Sequence, residues 1–132
     1  MRLLPSLILL TFLPAIAGAQ TLITAEEFEA RVTGKVLTYS ADGAPYGMEE
    51  YLEGRRVRWS FLDGECQEGH WYVAGDQICF VYENMPEPQC WQFYAEGGRI
   101  LARFENDPMS TELYETSRTP GPLMCLGPEI GV

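Results

Sequence analysis

After its first twenty residues, the chain passes from a helical to a β-type pattern of hydrophobic and polar positions. In "TAEEFEARV", Phe28 and Val32 are four residues apart, which is the spacing of one helix face and predicts a short helix over residues 25–32. Thr24 and Glu27 have the spacing of a capping box, in which each side chain hydrogen-bonds the backbone N–H of the other residue. The helix is therefore expected to begin directly after Thr24.

Beyond this helix, apolar residues alternate with polar ones, and turn dipeptides such as Asp42-Gly43 and Asp63-Gly64 interrupt the alternation at regular intervals. A period of two places the apolar side chains on one face of a strand. The connections are too short for helical crossovers, so neighbouring strands must be antiparallel. The pattern predicts an antiparallel β-meander of about eight strands. They are placed at residues 35–40, 46–52, 55–62, 66–74, 77–83, 89–95, 98–105 and 111–116.

The middle strands share a continuous aromatic and aliphatic face. Its members are Val57, Trp59, Phe61, Trp71, Val73, Ile78, Phe80, Tyr82, Trp91 and Phe93. A face of this size must be buried against the helix, against a second sheet or by closure of the sheet on itself. Eight strands suffice to close around a filled interior. We therefore expect an all-β, disulfide-braced small barrel with one short helix; a strongly twisted open sheet capped by the helix is the alternative.

The first nineteen residues have the three parts of a secretory signal peptide. Arg2 supplies the basic start, an apolar run covers residues 3–16, and "AGA" at 17–19 has the small-x-small pattern of a signal-peptidase site. The run is too short to span a bilayer comfortably, which favours a cleaved signal over a membrane anchor. We divide the chain into a signal peptide, residues 1–19, and a single β-meander domain, residues 20–132, located in the periplasm or outside the cell.

The exported part is strongly acidic. The whole chain has a formal net charge of −10 at pH 7, and loss of Arg2 with the signal peptide lowers it by one to −11. Nucleic acids and anionic membrane surfaces favour Lys and Arg, so we expect no nucleic-acid partner and no membrane insertion after cleavage. The partner is left as an unknown protein or small molecule. A solvated acidic surface is the plainer explanation of the charge.

Four cysteines, Cys66, Cys79, Cys90 and Cys125, all lie in the exported part and allow three pairings. Zinc sites usually contain closely spaced pairs such as C-x-x-C, which this chain lacks, so we expect disulfides and no metal. Cys79 and Cys90 take facing positions on neighbouring strands around a turn, which predicts a Cys79–Cys90 bond. Elimination leaves Cys66–Cys125, which would fasten the predicted coil tail, residues 119–132, to the sheet.

The segment "GHWYVAGDQICFVYENMPEPQCWQFY" combines a G-x-W motif, a Gly-Asp turn, an aliphatic-Cys-aromatic strand and a Cys-aromatic pair. Ten residues carry this pattern: Gly69, Trp71, Gly75, Asp76, Ile78, Cys79, Phe80, Tyr82, Cys90 and Trp91. The pattern resembles that of small exported alphaproteobacterial proteins of unassigned function, over about a quarter of the mature chain. The resemblance implies secretion, a hairpin and the Cys79–Cys90 bond, and it implies no active site.

The sheet face opposite the aromatic one concentrates basic and aromatic side chains. They are Arg56, Arg58, His70, Tyr72, Gln92, Tyr94 and Arg103. This cluster is a candidate binding face, because Arg and aromatic residues are enriched at binding hot spots. The alternative is that its cations pair with the surrounding Glu and Asp side chains.

Catalytic and cofactor motifs are absent from the sequence. His70 is the single histidine and would have to serve as the base of any Ser-His or Cys-His site, but its strand position is that of an ordinary sheet histidine. No nucleotide-binding or calcium loop is present, so we expect no cofactor. We expect a binding or envelope-accessory protein and not an enzyme. The alternative function is a lipocalin-like carrier of a small apolar ligand inside the barrel.

Export makes a direct prediction about the mature protein. Mass spectrometry of protein purified from its native host should give an N-terminus at Gln20, either free or cyclised to pyroglutamate, because signal peptidase cleaves after the small-x-small pattern. An intact Met1 would contradict the signal peptide and favour the membrane anchor.

Overall fold

The computed structural model describes residues 13–14, 20–105 and 111–125. Apart from residues 13–14, the predicted signal peptide lies outside the described residues. Within the part that is described, no helix is long and apolar enough to cross a membrane.

One helix, one 3-10 turn and nine strands make up the described chain. The helix α1 spans Ala25–Val32, and the 3-10 turn covers Glu53–Arg55. The strands are β1 (Thr21–Leu22), β2 (Lys35–Ala41), β3 (Ala44–Tyr51), β4 (Arg56–Ser60), β5 (Gln67–Ala74), β6 (Gln77–Tyr82), β7 (Met85–Glu96), β8 (Arg99–Phe104) and β9 (Glu112–Pro120).

Strands β2 to β9 close into an eight-stranded antiparallel barrel. Neighbours pair in the order β7-β6-β5-β4-β3-β2-β9-β8. Strand β8 then pairs with β7 along the stretch from Trp91 to Glu96, which completes the ring. The predicted barrel is therefore confirmed, and the open-sheet alternative is wrong. The short β1, which the pattern did not predict, pairs with the far end of β7 through Thr21 and Leu22.

The predicted elements agree with the structure in kind and differ at their ends. The helix and its capping box are confirmed, since Thr24 and Glu27 bond each other's backbone N–H at 3.1 and 3.2 Å. Strand β7 begins at Met85, earlier than predicted, because Met85 pairs with Tyr82 across the turn. Strand β9 continues to Pro120, further than predicted, because it pairs with β2 as far as that strand's first residue, Lys35.

Helix α1 closes one end of the barrel. Its two buried residues, Phe28 and Val32, belong to the hydrophobic core. The ring of Phe28 contacts those of Tyr51, Trp71 and Phe93 at centroid distances of 5.4, 5.3 and 4.4 Å. Aromatic contacts of this kind stabilise a core by about 1 kcal/mol each beyond the area they bury. The helix therefore holds its end of the barrel shut through one central ring.

The predicted inward face is confirmed in the middle of the strands and wrong at two ends. Val57, Trp71 and Phe80 are all buried at 4 % exposure or less. Phe61 and Val73, which were assigned to the same face, are 44 % and 42 % exposed. Phe61 follows the last residue of β4, and Val73 is the next-to-last residue of β5, so both reach the rims of the barrel.

Both predicted disulfides are present. Cys79 and Cys90 face each other across β6 and β7 with their Cα atoms 4.0 Å apart, and the Cα atoms of Cys66 and Cys125 are 5.6 Å apart. The first bond joins residues 11 positions apart, and the second joins residues 59 positions apart. Disulfides persist in oxidising compartments, so the two bonds indicate an extracytoplasmic environment.

Residues 121–125 form a tail strap over the outside of the barrel. The predicted coil is wrong at residues 119–120, which belong to β9, and it lies outside the described residues from 126 onward. Gly121 lies against the carboxylate of Glu50 on the outer face of β3. Leu123 is buried, and the strap then ends at the disulfide described above.

The two disulfides should contribute unequally to stability. Replacing Cys66 and Cys125 together by Ser should lower the unfolding free energy more than replacing Cys79 and Cys90 together. The chain-entropy model gives a difference of about 1.5 kcal/mol, because the first bond closes the longer loop. Urea unfolding of the two variants measures this difference. Chymotrypsin should cut at Leu123 in the first variant alone. Equal losses of stability, or a protected tail in both variants, would contradict the prediction.

Candidate functional site

A cavity of about 50 Å³ opens at the end of the barrel opposite α1. Nine of the fourteen described residues that line it are aromatic, and the interior of an eight-stranded barrel is usually just filled by its side chains. The lining consists of Tyr39, Tyr46, Glu49, Tyr51, Trp59, Phe61, Phe80, Tyr82, Met85, Gln89, Trp91, Phe93, Ala102 and Leu113. This space is the candidate functional site.

Three aromatic rings, Tyr46, Trp59 and Phe61, form the mouth of the cavity. Their centroids lie 5.9 Å (Tyr46–Trp59), 5.7 Å (Tyr46–Phe61) and 5.3 Å (Trp59–Phe61) apart. Trp59 is 8 % exposed, whereas Tyr46 and Phe61 are 37 % and 44 % exposed. Gly47 makes this arrangement possible, because a Cβ atom at that position would overlap the Trp59 indole. The mouth is therefore apolar and reaches solvent.

A buried carboxyl group lies in the wall of the cavity. Glu49 has the same strand phase as Tyr51, so β3 directs it inward, and it is 2 % exposed. The hydroxyl of Tyr82 donates a hydrogen bond of 2.9 Å to Oε1 of Glu49. Its second oxygen, Oε2, is buried without a hydrogen-bond partner among the described residues. Nearby, the hydroxyls of Tyr39 and Tyr51 bond each other at 2.8 Å.

Burial sets the protonation of these groups. It raises the pKa of the Glu49 carboxyl well above the usual value of 4.5, and the hydrogen bond from Tyr82 offsets this only in part. Burial also raises the pKa of Tyr39, Tyr51 and Tyr82, and the Glu49 carboxyl raises the pKa of all three further. The ionised form of each group is thus disfavoured, and within the described part of the chain no positive charge contributes to stabilising an ionised Glu49.

A second inward carboxylate, Glu115 on β9, has a different environment. Arg118 donates to both of its oxygens at 2.6 and 2.7 Å, and the backbone N–H of Ile100 donates to Oε1 at 2.9 Å. Charge-assisted bidentate bonds of this type compensate a buried carboxylate. The hydrogen bonds to both Glu115 oxygens therefore compensate its burial. Oε2 of Glu49 has no such partner among the described residues.

The residues of the predicted outer binding face lie in two separate groups. On β4 and β5, Arg56 lies opposite His70, and the rings of His70 and Tyr72 are 6.5 Å apart. Arg58, on the same strand as Arg56, bonds Glu68 at 2.7 Å and also contacts a second carboxylate at 3.3 Å. In this first group, Arg56, His70 and Tyr72 are exposed, and the charge of Arg58 is already paired.

The second group lies on β7 and β8. The Gln92 amide donates to Asp76 at 2.6 Å, and the Tyr94 hydroxyl donates to Gln92 at 2.6 Å. Arg103 lies over the Tyr94 ring at 4.8 Å and bonds Glu112 at 2.7 Å. The polar groups of this second group therefore bond mainly to one another and to acidic neighbours. The binding role of the outer face stays a prediction.

Sequence reasoning overlooked Glu49. In the sequence, Glu49 and Glu50 are two adjacent glutamates in an acidic chain. The alternation of β3 separates them, because Glu49 shares its face with Tyr51 whereas Glu50 points outward toward Arg58. The available signal was this phase: an acidic residue at an inward position of a predicted strand.

The Glu49 pKa predicts how stability depends on pH. The unfolded chain loses this proton near 4.5, whereas the folded protein retains it to higher pH, so the folded state binds more protons. The unfolding free energy should therefore fall as pH rises above about 4.5, with a slope from this group of at most about 1.4 kcal/mol per pH unit.

Urea unfolding between about pH 5 and about pH 8 measures this slope. Glu49→Gln cannot ionise and should flatten the decrease. Glu68→Gln removes the same charge from an exposed side chain and should retain the wild-type slope. Equal slopes for wild type and Glu49→Gln would contradict the raised pKa.

The resemblance to small exported alphaproteobacterial proteins stays a prediction. Comparisons of the chain with protein-family models, with curated proteins and with solved structures found no match. The geometry of the cavity is therefore the basis for the functional interpretation.

Proposed function

We propose that this protein is an exported, non-enzymatic binding protein that holds a small ligand inside its barrel. The observation that carries this proposal is the aromatic cavity, which opens to solvent at the mouth and is lined by Glu49, whose buried Oε2 has no partner among the described residues. Ligand sites are typically apolar and aromatic, with a few polar groups that fix orientation. Small barrels that are not completely filled are suited to holding one small ligand.

The size of the cavity limits the ligand. At about 50 Å³ the cavity is much smaller than a typical pocket for a drug-sized molecule, which measures about 300 to 1,000 Å³. A cavity of about 150 Å³ holds one benzene molecule, so this smaller cavity accommodates a single end group of a ligand. A longer molecule would place one end group beside Glu49 and leave the remainder between Tyr46 and Phe61 at the mouth.

The scaffold around the cavity supports preorganised binding. Helix α1 closes the far end through Phe28, and the Cys79–Cys90 bond joins two of the strands that form the wall. The Cys66–Cys125 bond holds the loop between β4 and β5, which begins with Phe61 at the mouth. A rigid site loses less conformational entropy on binding, which raises affinity for a given set of contacts.

A protein partner on the outer face is a second candidate function. Tyr72 is 37 % exposed and lines a surface groove that runs past Cys79 and Cys90 to the first residues of β7. Exposed tyrosine beside a rigid disulfide is a suitable contact for a protein surface. Such a partner would contact the outside of the barrel and would leave the cavity unoccupied.

Tryptophan fluorescence tests the interior site. Trp59 and Trp91 line the cavity, so saturable changes in their emission should accompany binding of at least one small probe among toluene, 1-hexanol and choline. Phe61→Ala removes one ring of the mouth and should weaken binding of that probe about fivefold, since one aromatic contact contributes about 1 kcal/mol.

Leu62→Ala provides the matched control. Leu62 is 46 % exposed, directly follows Phe61 and does not line the cavity, so its replacement should change the affinity less than about twofold. Absence of saturable binding for every probe, or equal weakening by both variants, would contradict an interior ligand. A partner recovered by pull-down that leaves the tryptophan emission unchanged would favour the outer face.

A further inference from the structure

The charge balance of the cavity points to the chemical class of its ligand. Of the described residues that line it, none is Lys, Arg or His, and Glu49 is the single carboxylic acid. The Arg118 guanidinium, which neutralises the other inward carboxylate, is already bound bidentately to Glu115. The described residues therefore leave a positive charge beside Glu49 to be supplied by a bound molecule.

The free oxygen of Glu49 is the first feature that such a molecule would satisfy. Oε1 accepts a hydrogen bond from Tyr82, while Oε2 is buried in the wall without a partner among the described residues. A buried polar atom without a partner destabilises the folded state, and most proteins avoid this arrangement. Because Glu49 lines the cavity, a ligand that reaches this oxygen would supply the missing partner.

The aromatic lining is the second feature. The negative faces of Trp, Tyr and Phe rings attract cations, and aromatic cages with a nearby carboxylate are suited to alkylammonium groups. Trp59, Phe80 and Trp91 contribute rings to the wall alongside the tyrosines, and Tyr46 and Phe61 surround the entrance. These rings offer a cation both an apolar surface and a favourable electrostatic environment.

We propose that the ligand of this cavity is a small organic cation, whose ammonium group lies between Oε2 of Glu49 and the aromatic walls. This inference rests on the binding function proposed above and specifies its ligand class. The net charge of the mature chain, −11, would also attract cations from solution toward the barrel.

Binding of a cation would be coupled to release of a proton. The groups that face Glu49 are the hydroxyls of Tyr39, Tyr51 and Tyr82, and the Glu115–Arg118 pair lies beyond Tyr39. None of these supplies an unpaired positive charge, so the empty site favours the neutral acid. An entering ammonium group stabilises the carboxylate, and the displaced proton passes to the solvent. Affinity should therefore rise with pH until Glu49 ionises without ligand.

Calorimetry with two matched pairs of probes tests this proposal. Choline is compared with its uncharged isostere 3,3-dimethylbutan-1-ol, and propylammonium with 1-propanol. In at least one pair, the cation should bind about tenfold more tightly or better, and its binding heat should vary with the ionisation enthalpy of the buffer because a proton is released. The affinity of the alcohols should not depend on pH.

Two variants locate the effect. Glu49→Gln retains the size of the side chain and the acceptor for Tyr82, and it should weaken cation binding about tenfold, abolish proton release and leave alcohol binding unchanged. Glu68→Gln removes the same charge outside the barrel and should bind both members of a pair like wild type. If Glu49→Gln does not fold, the probe pairs and proton release in the wild-type protein decide the question.

The outcomes separate the two proposals. Equal affinity for cation and alcohol, or cation binding that Glu49→Gln leaves intact, overturns the cation inference. Alcohol or toluene binding that still depends on Phe61 leaves the interior binding function in place. Failure of all four probes overturns the cation inference, and failure of toluene and 1-hexanol as well removes the interior function.

Discussion

The pairing of β7 with β8 is the contact on which the rest of the structure depends. The other strands form a continuous ladder from β7 to β8, and this last pairing turns the ladder into a ring. Closure leaves no free sheet edge among β2 to β9 that another chain could extend. It also encloses the aromatic face on all sides, so that α1 needs to cover one end and not an entire sheet.

Closure also explains the position of Glu49. Strand phase is strictly alternating, so a register that places Tyr51 and Trp59 inside the ring must place Glu49 inside as well. Among the described residues, the inward carboxyl groups of Glu49 and Glu115 differ in how their burial is compensated. Glu115 has Arg118 and the Ile100 N–H as partners, whereas Glu49 has one tyrosine hydroxyl and stays uncompensated on its other side. This difference separates a structural acid from a candidate binding group.

Most of the architecture could be predicted from local sequence signals. The capping box indicated the start of α1, and the alternation that includes Val57 and Trp59 indicated the inward face. The disulfide pairing followed from Cys79 and Cys90 facing each other across one hairpin. Each of these features depends on residues that are close in sequence, where spacing determines which side chains meet.

The sequence pattern could not predict features that depend on residues far apart in the chain. The last residues of β9 are polar and carry no alternation, and they are strand because β2 pairs with them. Strand β1 has two residues and exists through its contact with β7. The cavity is a volume that its fourteen described lining residues leave unfilled, and no local pattern reports how side chains from opposite walls pack. The alternation of β3 could have shown that Glu49 points inward. It could not have shown that Oε2 has no partner among the described residues.

The disulfide that ends the tail strap makes the rigidity of the barrel's rim depend on the oxidation of Cys66 and Cys125. Cys66 belongs to the same short loop as Phe61, so the covalent bond to Cys125 immobilises one side of the entrance as well as the tail. A newly made chain in a reducing compartment lacks this bond, and its entrance loop is held at its two ends alone. The complete, rigid entrance is therefore a property that the protein acquires when Cys66 and Cys125 are oxidised.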